Sequence, residues 1–231
     1  MVNKSICGLP LTCQAHYDSY VAPMTNFTKR AEQVQEFDIS GGNLALDFAN
    51  TVSRRRSEQP VEHLLSYSDL IRWAKQVGII SSAEGNRILR RIENNPKQAA
   101  KGLQDVIELR ETVFRIFSAI AANQRPPTHD FRIFDLAFKN LSRKAELIWT
   151  SSGAEWRWAD EDDSPEKILW EVVRSCLDLL MSNERERVRE CEAETCAWLF
   201  MDHSKNQSRR WCDMKVCGNR EKVKRFYRRN R

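Results

Sequence analysis

At 231 residues, with 41% hydrophobic and 30% charged side chains, the chain can bury a sizeable core as one large domain or two unequal ones. No window approaches about 18 consecutive apolar residues, and MVNKSICGLPLTCQAHYDSY lacks the sustained apolar core of a secretory signal; neither a transmembrane helix nor export is expected. The net charge of +5 is uneven: His203 to Arg231 holds eleven Lys or Arg against Asp213 and Glu221, leaving 26 basic and 30 acidic residues before it. A mildly acidic body with a strongly basic tail puts a polyanion first among partners and an anionic membrane surface second.

Residues 1–35 show weak periodicity and are expected to be a flexible extension, with Cys7 and Cys13 as incidental thiols. The globular part starts at EFDISGGNLALDFANTV, where a short strand is expected to end at Gly41 and Gly42, with a helix following from about Leu44. SYSDLIRWAKQVGII reads as a helix with Leu70, Ile71, Trp73, Ala74 and Val77 on its apolar face and Gly78 as its stop. Ser81 and Glu84 have capping-box spacing for the next helix. A long helix over about 97–123 has a seam through Leu103, Val106, Ile107, Leu109, Val113, Phe114, Ile116, Phe117 and Ile120. Pro126 and Pro127 stop it, and a further helix covers about 129–142.

The period then changes. Leu147 and Trp149 alternate, as do Trp156 and Trp158, with SSG between them, which predicts a β-hairpin. Ser164-Pro165 opens a helix as N-cap and first position, with Ile168, Leu169, Val172, Val173, Cys176, Leu177 and Leu180 as its core stripe. Cys176 is read as a small core residue. SNERERVRE is the boundary to the cysteine-rich C-terminal unit.

Four of the seven cysteines fall between 191 and 217, as two pairs with four residues inside each pair and fifteen between them. In the reducing compartment expected for an unexported chain, such pairs bind metal more often than they form disulfides. Cys191, Cys196, Cys212 and Cys217 fit a structural zinc site, in which two short loops each donate two thiolates and leave no open position for catalysis. Disulfides and unrelated buried thiols are the competing readings, and His203 is a candidate replacement for one thiolate. Between the pairs AWLF reads as a strand, DHSKNQS as a turn and RRW as a return strand. Gly218 allows a sharp turn, and Asn219 is the expected N-cap of a terminal helix. On that helix Val223, Phe226 and Tyr227 share a face and are expected to dock on the metal loops, turning the basic side outward. About 40 residues bury little apolar surface, so the ion carries much of this unit's stability.

WCDMKVCGNR, with RRWC before it and the Cys191/Cys196 pair followed by WLFMDHS, resembles the CGNR zinc-finger family of bacterial proteins. GGNLALDFANTV and LRETVFRIFSAIA resemble the ABATE domain that accompanies this finger, so the resemblance covers about residues 36–229. It implies a stress-responsive transcription regulator with the finger as DNA-binding module. Asp213 stands where the family often has a small polar residue. The expected architecture is a mainly α domain with a small β-hairpin at 36–184 and a treble-clef-like, four-cysteine zinc module with a basic helix at 185–231.

The leading expectation is a cytoplasmic, nucleoid-associated regulator that binds duplex DNA. Arg209, Arg210, Lys222, Arg225, Arg228 and Arg229 would contact phosphates, and Asn219 and Arg220 are candidate base readers unless they serve the fold. A homodimer pairing half-sites is a reasonable assembly. The alternative is a zinc-dependent protein-interaction module, for example on RNA polymerase. Asp47, Asn50, Thr51 and Arg110 are candidates for a small-effector pocket. Their plainer reading is that Asp47 and Asn50 satisfy backbone groups and Arg110 pairs with an acid. His63 and His129 read as surface residues, GGNLA lacks the Lys-Ser/Thr of a phosphate loop, and no nucleophile, base and orienting group assemble, so an enzyme is not expected.

Overall fold

The computed structural model describes residues 36–94, 96–159 and 164–230; the expectations for 1–35, with Cys7 and Cys13, lie outside them. At the centre sits a six-residue helix, α1 (Leu44–Ala49), started by the Asn43 side chain accepting from Ala45 N–H. Ala45, Leu46, Phe48 and Ala49 are all fully buried, so this helix is core on nearly every side. The strand expected before it does not form. Instead the Gly41 carbonyl accepts one hydrogen bond, from Met201 N–H at 2.8 Å. Gly42 has φ of 75°, and a Cβ there would come within 3.3 Å of Met201, so this close approach suits glycine alone.

Around α1 the chain lays down β1 (Val52–Ser53) and β2 (Val61–Glu62), an antiparallel pair of two residues each. Next comes α2 (Tyr67–Gln76), whose Ser66 cap accepts from Asp69 N–H and whose stop is Gly78 at φ 78°. The capping box of α3 (Ser82–Glu93) is complete. The long α4 (Pro96–Ala121) buries Val106, Leu109, Val113, Ile116 and Phe117, and α5 (Thr128–Ser142) packs against it. The hairpin of β3 (Ala145–Thr150) and β4 (Gly153–Trp158) pairs Leu147 with Trp156 and Trp149 with Ala154. Its base meets the core where Trp156 sets its ring 5.6 Å from Trp170. Helix α6 (Glu166–Met181) begins one residue later than expected; Ser164 Oγ accepts from Glu166 N–H at 3.3 Å. It buries Ile168, Leu169, Trp170, Val172, Val173 and Cys176. Burial pushes the Cys176 thiol up, which keeps it an inert core residue.

SNERERVRE, read as a boundary, is more than that. Residues Asn183–Arg187 make a 3-10 turn, and β5 (Val188–Glu190) pairs antiparallel with β6 (Leu199–Met201). The return strand expected at RRW does not form; β6 takes its partner from upstream. The Cys191–Cys196 loop therefore lies between the two strands of a hairpin, and the last element is a basic helix, α7 (Asn219–Arg229). The four-cysteine unit ending in a basic helix is as expected, but its hairpin encloses the first cysteine pair instead of lying between the pairs. Among the described residues no helix is long and apolar enough to cross a membrane.

Charge is also buried. Arg110 on α4 reaches both carboxylate oxygens of Glu62 at 2.6 and 2.7 Å, with the two side chains only 3% and 5% exposed. Glu111 binds Arg55 at 2.7 Å and Arg110 at 2.9 Å. Burial alone would raise Glu111, but the guanidinium groups of Arg55 and Arg110 outweigh it and hold its carboxyl at about 2. Breaking a buried pair strands its partner's charge. Arg110→Ala is expected to cost about 3–5 kcal/mol, read as a lower denaturation midpoint with an unchanged slope.

Candidate metal centre and basic helix

The hairpin brings the first cysteine pair into place. Cys191 N–H donates to Trp198 O at 2.8 Å, Cys196 N–H to Ala193 O at 2.9 Å, and Ala197 turns into β6 with φ of 67°. The second pair is set by Asp213, whose carboxylate accepts from Val216 N–H at 2.8 Å and starts a π-helical turn, Met214–Gly218, that runs straight into α7. The Asn219 cap is thus corrected: Asn219 is already helical, and its side chain donates to Lys215 O at 3.0 Å. Asp213 does the capping. Gly218 has helical φ of −61° rather than a sharp turn. A Cβ there would meet only the end of the exposed Met214 side chain, 2.9 Å from its sulfur.

Cys191, Cys196, Cys212 and Cys217 converge. Their sulfurs all lie within 4.8 Å of one another, with Cys196 to Cys212 and Cys212 to Cys217 both at 3.7 Å. All four are buried, with Trp198 and Trp211 packed beside them. Four thiolates packed this closely repel one another. A bound dication removes that conflict by stabilising every thiolate together. His203 stands apart, exposed and 3.8 Å from Glu184, and is no member of the cluster.

The N-terminal body grips this centre. Asn50 Nδ2 donates to Leu199 O at 2.8 Å and Asn50 Oδ1 accepts from Leu199 N–H at 2.9 Å. Trp198 Nε1 donates to Val52 O at 2.7 Å. From the β1–β2 loop, Arg55 N–H donates to Cys196 O at 3.1 Å and the Arg56 guanidinium to Cys191 O at 3.0 Å. Arg56 also pairs with Glu190. Neither arginine carries a motif; the run Arg54–Arg56 beside a short strand was the only sequence signal.

The residues expected to line an effector pocket are engaged elsewhere. Asn50 binds β6, Thr51 Oγ1 donates to Phe48 O at 2.8 Å, Arg110 binds Glu62, and Asp47 accepts from Gly41 N–H at 2.8 Å. Their polar atoms tie the GGNLALDFANTV segment to itself, to α4 and to the finger strand. His63 is half-buried rather than a surface residue; it bonds Ser53 at 2.5 Å, and burial lowers it. His129 is exposed.

The basic residues divide into two groups. Arg209 lies over the Phe200 ring at 4.5 Å, donates to Trp211 O at 2.8 Å and also to Cys212 O, so it braces the second cysteine loop. Arg210 binds Glu192 at 2.6 Å. Lys224 and Arg228 reach Glu194 at 2.7 and 3.8 Å, Arg225 lies 5.9 Å from the Trp211 ring, and Arg220 contacts Thr195 at 3.3 Å. Lys222 and Arg229 are exposed. The expected docking face is reversed: Val223, Phe226 and Tyr227 are 53%, 63% and 65% exposed. Glu194, inside the first cysteine loop, holds Lys224 on the inner side of the helix, while Lys222, Arg225 and Arg229 stay exposed.

Residues 42–183 match ABATE, described as "Putative stress-induced transcription regulator". The chain belongs to the ABATE family. Residues 187–230 match the CGNR zinc finger, so an ABATE unit is followed by a CGNR finger. Neither family is an enzyme family by these descriptions. No curated protein matches the chain.

Cys212→Ser is expected to abolish stoichiometric metal in the purified protein, measured by elemental analysis, and to lower the melting point of the ABATE core as well, because β6 serves both. Asp47 is raised to about 6, first by burial, against the Gly41 N–H and with help from Asp38. Its folded value lies above the unfolded one, so its contribution is full below about pH 4 and is lost as pH rises through 6. Asp47→Asn should therefore unfold later than wild type at pH 8, by about 2–3 kcal/mol at most, with the gap closing towards pH 4.

Proposed function

We propose that this chain is a DNA-binding transcription regulator whose C-terminal unit is a structural zinc finger. Tetrahedral zinc with Zn–S of about 2.3 Å sets its sulfurs about 3.8 Å apart, which agrees with the 3.7 Å separations here. Four thiolates leave the ion no open position, so it would hold the two loops together and take no part in chemistry. Cys191, Cys196, Cys212 and Cys217 are its ligands in this reading.

The observation that carries DNA binding is the exposed basic helix fixed immediately beyond the metal loops. Lys222 and Arg229 project to solvent, and Arg220, Arg225 and Arg228 lie alongside in weak or screened contacts. Such cations bind phosphate and release counterions. Arg209 serves the fold in this reading, and Asn219 is secondary because its amide holds Lys215 O. The ABATE unit, in turn, holds the finger in place. A nucleoid-associated site in the cytoplasm accords with this role. A protein-interaction module is the second reading, favoured by the exposed Val223, Phe226 and Tyr227.

The test is fluorescence anisotropy of the zinc-loaded chain on mixed-sequence duplex DNA across a salt series. Lys222→Ala/Arg229→Ala is expected to weaken binding for all sequences and to reduce the log–log salt slope by about 2. Arg209→Ala should instead loosen the metal loop and speed zinc loss to a chelator. A folded, zinc-loaded chain that ignores duplex, bubble and single-stranded DNA alike at low salt would move the function to the protein-interaction reading.

A further inference from the structure

The face of α7 turned towards the finger is its charged one. Lys224 and Arg228 reach Glu194, Glu221 accepts from Glu194 N–H at 3.4 Å, and Arg225 lies over Trp211. By helical spacing the opposite face carries Val223, Phe226 and Tyr227, with Asn219 among them. The two rings meet edge to face, centroids 5.8 Å apart. Lys222 and Arg229 line one flank of this ridge and Arg220 the other. A polyanion drawn to the flanking cations therefore lies across the ridge and must offer the rings a surface.

A closed duplex offers phosphates and groove edges but keeps its base faces stacked. A lipid surface would accept the rings, yet Asn219 and the Tyr227 hydroxyl put polar groups within a ridge of only three apolar side chains. Unstacked bases suit every part. Their π faces match Phe226 and Tyr227, their edges can bond the Tyr227 hydroxyl, and each nucleotide brings a phosphate for the flanks.

We propose that α7 binds nucleic acid through unstacked bases, as a single strand or an opened duplex, stacking them on Phe226 and Tyr227 with phosphates on Lys222, Arg229 and Arg220. The proposal rests on the reading of α7 as a nucleic-acid contact and narrows its ligand.

The experiment uses the full zinc-loaded chain and three labelled probes: a 20-base-pair duplex, the same duplex with a central mismatched bubble, and one of its strands. Vesicles containing phosphatidylglycerol form a fourth arm. Bubble and single strand are expected to bind at least 10-fold tighter than the duplex. Phe226→Ala/Tyr227→Ala should remove that preference while changing duplex affinity less than 2-fold. Both side chains are exposed, so the variant should keep its zinc, which elemental analysis checks. Quenching of 2-aminopurine placed in the bubble should accompany binding and vanish in the variant. Equal affinity for duplex and bubble, unmoved by the variant, would overturn base stacking and leave phosphate binding intact. Vesicle binding lost in the variant, with no preference among nucleic acids, would assign the ridge to lipid and overturn it too. Failure on all three nucleic acids would take both readings down.

Discussion

The buried Asn50 side-chain amide sits at the centre of the joint between the two halves of this molecule. Asn50 exchanges both of its hydrogen bonds with the backbone of Leu199, as a neighbouring strand would, and it does so in a buried place. β6 is three residues long and has β5 on one edge; Asn50 and the Gly41 carbonyl meet Leu199 and Met201 on the other. Buried backbone groups without partners are costly, so these bonds oblige α1 and the finger hairpin to fold against each other. The positions of the cysteine loop, of Glu194 and hence of α7 all follow from that registry.

Much of this was legible in the sequence where one local rule was enough. Ser66 and Ser81 announce their helices, alternating Trp and Leu announce the hairpin, and four cysteines in two pairs announce their cluster. What stayed hidden depended on partners far along the chain. VRE looks like a charged linker, because a three-residue strand has too few positions to show a period. Asn50, Asp47 and Arg110 are polar residues in an otherwise apolar setting, and their spacing does not say whether they face a ligand or a backbone. Periodicity does place Val223, Phe226 and Tyr227 on one face of α7, but it does not say which face meets the body. The inner side carries Lys224, paired with Glu194 thirty residues before it.

The two kinds of charge contact in the molecule differ in strength for the same reason. Arg110 and Glu62 sit where water is excluded, with Arg55 and the partly exposed Glu111 bonded beside them, and losing one member leaves the others in a low dielectric. The pairs between α7 and Glu194 are at the surface, where water and salt screen them. The body is therefore locked, whereas the helix is aimed by contacts that a strongly charged ligand can compete for.

Trp198 also makes the joint visible to light. Its indole N–H is bonded to Val52 O while its ring packs beside the cysteine cluster. Separating the finger from the body would hydrate the ring and shift its emission to longer wavelength, with no label attached. Trp211 lies beside the same cluster, whereas Trp73 and Trp170 are sealed in the body. Trp149, Trp156 and Trp158 on the hairpin emit as well, and replacing them by Phe would leave two fluorophores at the seam and two in the core.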